Sequence, residues 1–147
     1  MNILSWNVNG IRAIHRKEVL NTLFSVGFGS LDTLSDKHID IIGLQETKAT
    51  YIELAKEFFP EGYTVYHNSA TERKGYSGTV IFVSDAIKSN LIDIDVTYET
   101  LRTEGRLICI ETDKSILING YFPNGGGKPE RLAYKLKFYD EFTGFLL

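Results

Sequence analysis

The chain is 147 residues long, with 43% hydrophobic and 24% charged residues, the balance of a single soluble globular domain. Its formal net charge of -3 and pI near 5.6 exclude a bulk polycation, so any nucleic-acid binding needs a local basic patch. The lone Cys109 excludes an intrachain disulfide and suits a reducing, cytoplasmic location. No secretory leader pattern and no apolar run near the ~18 residues of a membrane span occur, so no membrane association is expected.

In chain order, Asn2 to Trp6 reads as a short strand that breaks on Asn7-Val8-Asn9-Gly10. Ile11, Ile14, Val19, Leu20 and Leu23 recur at helical spacing and predict a helix from Ile11 to about Val26, ended by Gly27 and Gly29. Ile39 to Leu44 is a nearly continuous apolar run, the pattern of a strand covered on both faces. Tyr51 to Phe59 predicts a short helix stopped by Pro60 and Gly62. Strands are predicted over Tyr63 to Tyr66, Gly78 to Val83, Ile92 to Tyr98, Arg106 to Glu111 and Ser115 to Tyr121. The last two are joined by a Thr112-Asp113-Lys114 hairpin turn. A final helix runs from Glu130 to Phe142, and the chain ends on apolar Thr143 to Leu147. That ending suits either a docked helix end or a chain that stops before its fold is complete. Strands with interspersed helices predict a layered α/β fold.

Polar groups gather where strands stop. Glu46 follows Leu44-Gln45 at the carboxyl end of a buried strand, the end where α/β sheets bind ligands. A lone carboxylate completed by waters and phosphate oxygens is how Mg²⁺ is usually held, although a strand-end Glu facing water is the plainer reading. Asn7 and Asn9 flank Val8 and point to one side of an extended backbone. They suit either a turn or the orientation of a carboxylate or phosphate. Arg12, Arg16 and Lys17 form a basic edge, or a solvated helix face.

Arg73 to Gly78 is a basic, glycine-punctuated turn around Tyr76, suited to a phosphate backbone or to a simple hairpin. Glu104-Gly105-Arg106 sets another Arg at a strand start. Tyr121 opens a glycine-rich loop through Gly127, in which Asn124 suits a helix cap or a phosphate contact. Lys128, Arg131, Lys135 and Lys137 make a second basic edge. The three histidines, His15, His38 and His67, share no ligand spacing, and Cys109 reads as a core thiol.

Five blocks in order, SWNVNGIRA, GLQETK, KGYSGTVIF, EGRLICIE and INGYFPNGG, resemble the exonuclease III type of apurinic/apyrimidinic endonuclease. That group lies within the endonuclease/exonuclease/phosphatase superfamily. The resemblance runs from residue 2 to the end of the chain. GLQET alone would fit the whole superfamily, including inositol-phosphate phosphatases and sphingomyelinases. NGIRA, ETK, GYSG and YFPNGG together favour the DNA-repair branch.

The resemblance implies a four-layer α/β sandwich and a Mg²⁺-dependent hydrolysis (Mn²⁺ as a substitute) of the DNA backbone 5′ to abasic sites, with 3′–5′ exonuclease activity. It matches Glu46 to the metal-binding Glu and Asn7 to an active-site Asn beside that metal. Tyr121 matches the Tyr that contacts the scissile phosphate, and Asn124 a nearby polar residue. Arg12, Lys48, Tyr76 and Arg106 match positions that grip the DNA backbone. Asn9 falls where some relatives carry an Asp near the metal. Lys74, Lys128 and Arg131 join the candidates from the basic edges.

Family members are longer. They carry a GDFN-type block and a closing SDH block, neither of which this sequence contains. The expectation is therefore residues 1–147 as the amino-terminal part of one domain that is monomeric when intact, with the carboxy-terminal part missing. This part alone is expected to be inactive on double-stranded DNA. Two alternatives remain, an inositol- or lipid-phosphate hydrolase of the same superfamily and a non-catalytic nucleic-acid-binding half-domain.

Overall fold

The computed structural model describes residues 1–17, 39–50, 60–71 and 73–147. The elements in order are β1 (Ile3–Asn7), α1 (Ile11–His15), β2 (Ile41–Gln45), β3 (Tyr63–Asn68), β4 (Thr79–Ser84), β5 (Ser89–Ile92), α2 (Glu99–Thr103), β6 (Leu107–Thr112), β7 (Ile116–Gly120) and α3 (Pro129–Leu146). They form a four-stranded sheet of order β1-β2-β4-β3 and a three-stranded sheet β5-β6-β7. Only β1 and β2 run parallel, with Asn7 opposite Gln45; the other pairs are antiparallel.

The apolar runs explain the layering. Every residue of β2 and β4 is buried, because each strand has a partner layer on both faces. On one face, Ile42, Leu44, Val80 and Phe82 pack against Val8 and the α1 residues Ile11 and Ile14. On the other, Ile41, Ile81 and Val83 meet Ile108 and Ile110 of β6. The far face of the second sheet is closed by helices, where Leu107 packs with Leu101 of α2 and Phe138 of α3. The order helix, sheet, sheet, helix is the expected four-layer sandwich.

Two expectations need correction and two lie partly outside view. The strand predicted over Ile92 to Tyr98 is displaced: β5 covers Ser89–Ile92, and Glu99–Thr103 is the helix α2. Ile92, Ile94 and Val96 alternate like a strand, but the Asp95 carboxylate accepts the Thr97 backbone N–H and hydroxyl, each at 2.8 Å. That side-chain turn competes with the ladder and wins. α2 is then anchored by Glu141, whose Oε2 accepts the Thr100 N–H and hydroxyl at 2.7 Å each. Of the two roles open to Asn124, a helix cap or a phosphate contact, the cap is excluded. Lys128 is the N-cap of α3, and Asn124 Oδ1 accepts the Gly126 N–H at 2.9 Å. The first predicted helix ends at His15, with Arg16 as its C-cap; positions 18–29 of that prediction and the whole Tyr51 to Phe59 helix fall outside the described residues.

α3 extends four residues past Phe142, and Phe145 sits edge-on to Tyr98 with centroids 6.1 Å apart. Leu132 and Leu136 do not reach the core (50% and 54% exposed), whereas Phe138 is fully buried. Among the described residues no helix is long and apolar enough to cross a membrane.

Candidate active site

Parallel pairing brings the carboxyl ends of β1 and β2 together, so Asn7 stands beside Glu46, the first residue past β2. Three loops interlock around Glu46. Gly10 N–H donates to Glu46 O (2.7 Å) and Ile11 N–H to Thr47 O (3.0 Å), while Thr47 N–H and Lys48 N–H donate to Gly78 O and Ser77 O. These bonds hold Asn9, Glu46, Lys48 and Ser77 in the left-handed region, with φ of 47°, 54°, 53° and 49°. Such conformations cost about 1–3 kcal/mol each for residues with a side chain. Four of them at one corner set this loop cluster apart from the rest of the described fold. Gly78, at φ +92°, cannot be replaced cheaply, because a Cβ there would lie 2.4 Å from Thr47 Oγ1.

The carboxylate of Glu46 lies among three side chains. Asn7 Nδ2 donates to Oε1 at 2.8 Å, Lys48 Nζ lies 3.3 Å from Oε2, and the Tyr121 phenol stands close enough to help lower the Glu46 pKa. Partial burial works to raise the Glu46 pKa, but the Asn7, Tyr121 and Lys48 bonds together with the Lys48 charge outweigh it and bring it below 4.5. Tyr121 moves the other way. Burial, the bond to Glu46 and the Glu46 charge raise its phenol above 10.0, against an opposing effect of Arg106. Asn7 Oδ1 accepts the Asn9 N–H at 3.1 Å, and Asn9 Oδ1 accepts from Lys48 Nζ. Arg12 Nη2 donates to Lys48 O at 3.2 Å, tying the start of α1 to the same loop.

Beside Tyr121 lies a cluster of guanidinium and phenol groups. Arg106 is 1% exposed; its Nε donates to Glu104 Oε2 (2.7 Å), Nη1 to Tyr121 O (3.0 Å) and Nη2 to the Tyr76 hydroxyl (3.0 Å). Its plane also covers the Tyr121 ring at 4.7 Å. Arg131 donates to the same Tyr76 oxygen at 3.1 Å and pairs with Glu104 at 3.4 Å. Arg73 covers the Tyr76 ring at 4.8 Å. The buried Arg106 guanidinium therefore acts through Tyr121 and Tyr76, and the outer surface of the cluster belongs to Arg73 and Arg131.

The structure thus gathers Asn7, Asn9, Arg12, Glu46, Lys48 and Tyr121 into one corner, with Tyr76, Arg106 and Arg131 adjoining through Tyr121. Asn124, Lys74 and Lys128 are exposed on neighbouring loops. The residue types alone did not single out Gln45, Asn119 and Glu104, three polar groups that pin this corner from within. An Asn inside the apolar strand ILING was the available signal, since Asn is depleted in strands.

The donor set fits a hard divalent cation. Among the described residues no three His, Cys, Asp or Glu side chains gather into a closed metal cage, which argues against a structural zinc-type centre. One partly exposed carboxylate flanked by amides suits Mg²⁺ completed by waters and phosphate oxygens.

The model of the Endonuclease/Exonuclease/phosphatase family matches residues 4–146. The chain belongs to this family. An exodeoxyribonuclease of Bacillus subtilis is 34% identical over 147 residues, covering 100% of this chain and 52% of that protein. A DNA-(apurinic or apyrimidinic site) endonuclease of Dictyostelium discoideum is 31% identical over 148 residues, covering 99% of this chain and 37% of its own length. Among solved structures, the APE2 catalytic domain of Xenopus laevis superposes with a TM-score of 0.70 at 30% identity, covering 97% of this chain and 52% of that one. The resemblance to exonuclease III-type abasic endonucleases is borne out by these family members. The chain spans about half the length of the first of these curated relatives and about a third of the second.

Proposed function

We propose that this chain carries one wall of the active site of a DNA-repair phosphodiesterase, which hydrolyses the backbone 5′ to abasic sites and trims 3′ ends. The observation that carries the reading is the Glu46 carboxylate, held at paired strand ends by Asn7, Lys48 and Tyr121 beside a guanidinium–phenol cluster. Glu46 would hold Mg²⁺ or Mn²⁺, with Asn7 orienting it. The metal, when bound, supplies charge stabilisation to the leaving oxygen. The Tyr121 hydroxyl, kept protonated by its raised pKa, donates to a phosphate oxygen. Arg12, Lys48, Lys74, Lys128 and Arg131, with Arg73 and the Tyr76 ring, line the approach of the strand.

In the same reading, residues 1–147 form the amino-terminal part of one domain, and a further part brings the general base. Two features support it. Ile3, Ser5 and Asn7, which share the β1 face turned toward the second sheet, are all exposed. Ile116 and Ile118 of β7, the other open edge on this flank, are exposed as well. Among the described residues both sheets stop at the flank that carries the site, leaving room for a strand on each.

Competition tests the substrate class. A labelled duplex containing an abasic-site analogue should bind the chain, weaken as salt rises, and resist an inositol polyphosphate at equal phosphate concentration. Displacement by the inositol phosphate at equal phosphate, with no preference for DNA, would contradict the assignment.

A further inference from the structure

Tyr121 and Glu46 stand beside one another but come from different sheets, so something must set the register between those sheets. The polar groups buried between them show what does. Asn119 lies on β7 two residues before Tyr121 and on the same face of the strand, and it is buried. Its Nδ2 donates to Leu44 O at 3.0 Å and to Val80 O at 2.9 Å, two residues paired across the β2–β4 ladder. Its Oδ1 accepts from Gln45 Nε2 at 2.6 Å. Gln45 Nε2 also donates to Ser5 Oγ on β1 at 3.0 Å and immediately precedes Glu46. One side chain therefore uses both amide protons and its carbonyl to join β7 to β2 and β4, with Ser5 of β1 reached through Gln45.

The space is made to measure. Gly43 faces the Asn119 amide, and a Cβ at Gly43 would lie 3.3 Å from Asn119 Cγ. A buried amide with every hydrogen-bonding group used specifies one arrangement, because any slip strands polar atoms in the core.

We infer that Asn119 is a positioning residue that sets the inter-sheet register at which the Tyr121 phenol stands beside Glu46, and through that placement and its bond to the adjoining Gln45 sets the affinity of the Glu46 carboxylate for a divalent cation. The inference rests on the reading of Glu46 as a metal-holding group. It differs from a general stabilising role, which any inter-sheet amide would share. Asn68 supplies the comparison: its Nδ2 also crosses between sheets, to Leu107 O at 2.9 Å, but it sits on β3, the other edge strand of the first sheet.

Mn²⁺ is the probe, with free ion counted by its electron paramagnetic resonance signal over the full chain. Wild-type protein should bind Mn²⁺, and Glu46→Gln should lose that binding. Asn119→Leu should bind about tenfold more weakly, the scale on which outer-shell partners tune metal sites. Asn68→Leu, even if equally destabilised to urea, should bind as wild type. Gly43→Ala keeps the amide but presses on it, and should weaken Mn²⁺ in the same direction; it decides the question if Asn119→Leu does not fold. Wild-type affinity in folded Asn119→Leu, in Gly43→Ala where that is the deciding variant, or equal weakening in Asn68→Leu overturns the positioning role alone. No Glu46-dependent Mn²⁺ binding in the wild type overturns the metal reading and this inference with it.

Discussion

Arg106→Met is expected to destabilise the chain by about 3–5 kcal/mol, the cost of breaking a buried ion pair by removing one partner. The guanidinium is 1% exposed and donates to Glu104, to the Tyr121 carbonyl and to the Tyr76 hydroxyl. Methionine fills much of the volume but leaves the half-buried Glu104 carboxylate without its closest cation. Against a typical total of about 5–15 kcal/mol, that loss is a large share. Arg131 shares Glu104 and Tyr76, yet its side chain is 33% exposed and its ion pair is longer, at 3.4 Å. Arg131→Met should therefore cost less than about 1 kcal/mol. Urea unfolding of both variants checks the contrast, and equal losses would show that Arg106 is not the organising cation of the Tyr76–Tyr121 cluster.

The second large effect is an absence of turnover. The 147-residue chain, incubated with an abasic duplex and Mg²⁺, is expected to release no product above background. Among the described residues its site has a carboxylate, an amide and a phenol, but no group fit to take a proton from water. Tyr121 is raised above 10.0 and remains protonated at neutral pH, Asn7 has no basic atom, and Glu46 is lowered and committed to Asn7 and Lys48. A general base contributes about 10²–10⁴ in rate. A transition-state donor contributes a further ~10²–10³. Together these losses put turnover several orders of magnitude down. Gel-resolved cleavage of an end-labelled abasic duplex measures it; Mg²⁺-dependent nicking that disappears in Glu46→Gln would refute the expectation.

The strand ends were legible because their signal is local. IDIIGLQ is apolar until it meets Glu46, and SWN breaks at once into Asn-Gly, so Asn7, Glu46 and Tyr121 could be located from neighbouring residues. The partners that hold them could not, since they are far apart in sequence. Asn119 reaches Leu44 across 75 positions, and the Asn inside ILING is unusual for a strand but does not name its partner. Arg106 looked like a surface cation gripping DNA; only packing between Tyr76 and Tyr121 turns it inward. The misplaced strand at Ile92 to Tyr98 failed for a related reason. Alternation of apolar residues outweighed the single Asp95 that bends the chain.

The backbone strain around Glu46 was likewise invisible in the residue types. Left-handed Glu46 and Lys48 follow from the interlocking of three loops, and strain of this kind persists where surrounding structure over-determines it. The loop is therefore preset around the carboxylate, which under the proposed function would reduce the ordering a bound cation must impose.

In the proposed function Glu46 couples a divalent cation to a DNA phosphate at this corner. The affinity of the chain for an abasic duplex, measured with and without Mg²⁺ in wild type and in Glu46→Gln, tests that coupling. Mg²⁺ is expected to tighten binding by the wild type and to leave Glu46→Gln unchanged. Mg²⁺ dependence that survives intact in Glu46→Gln, or wild-type binding indifferent to Mg²⁺, would contradict it.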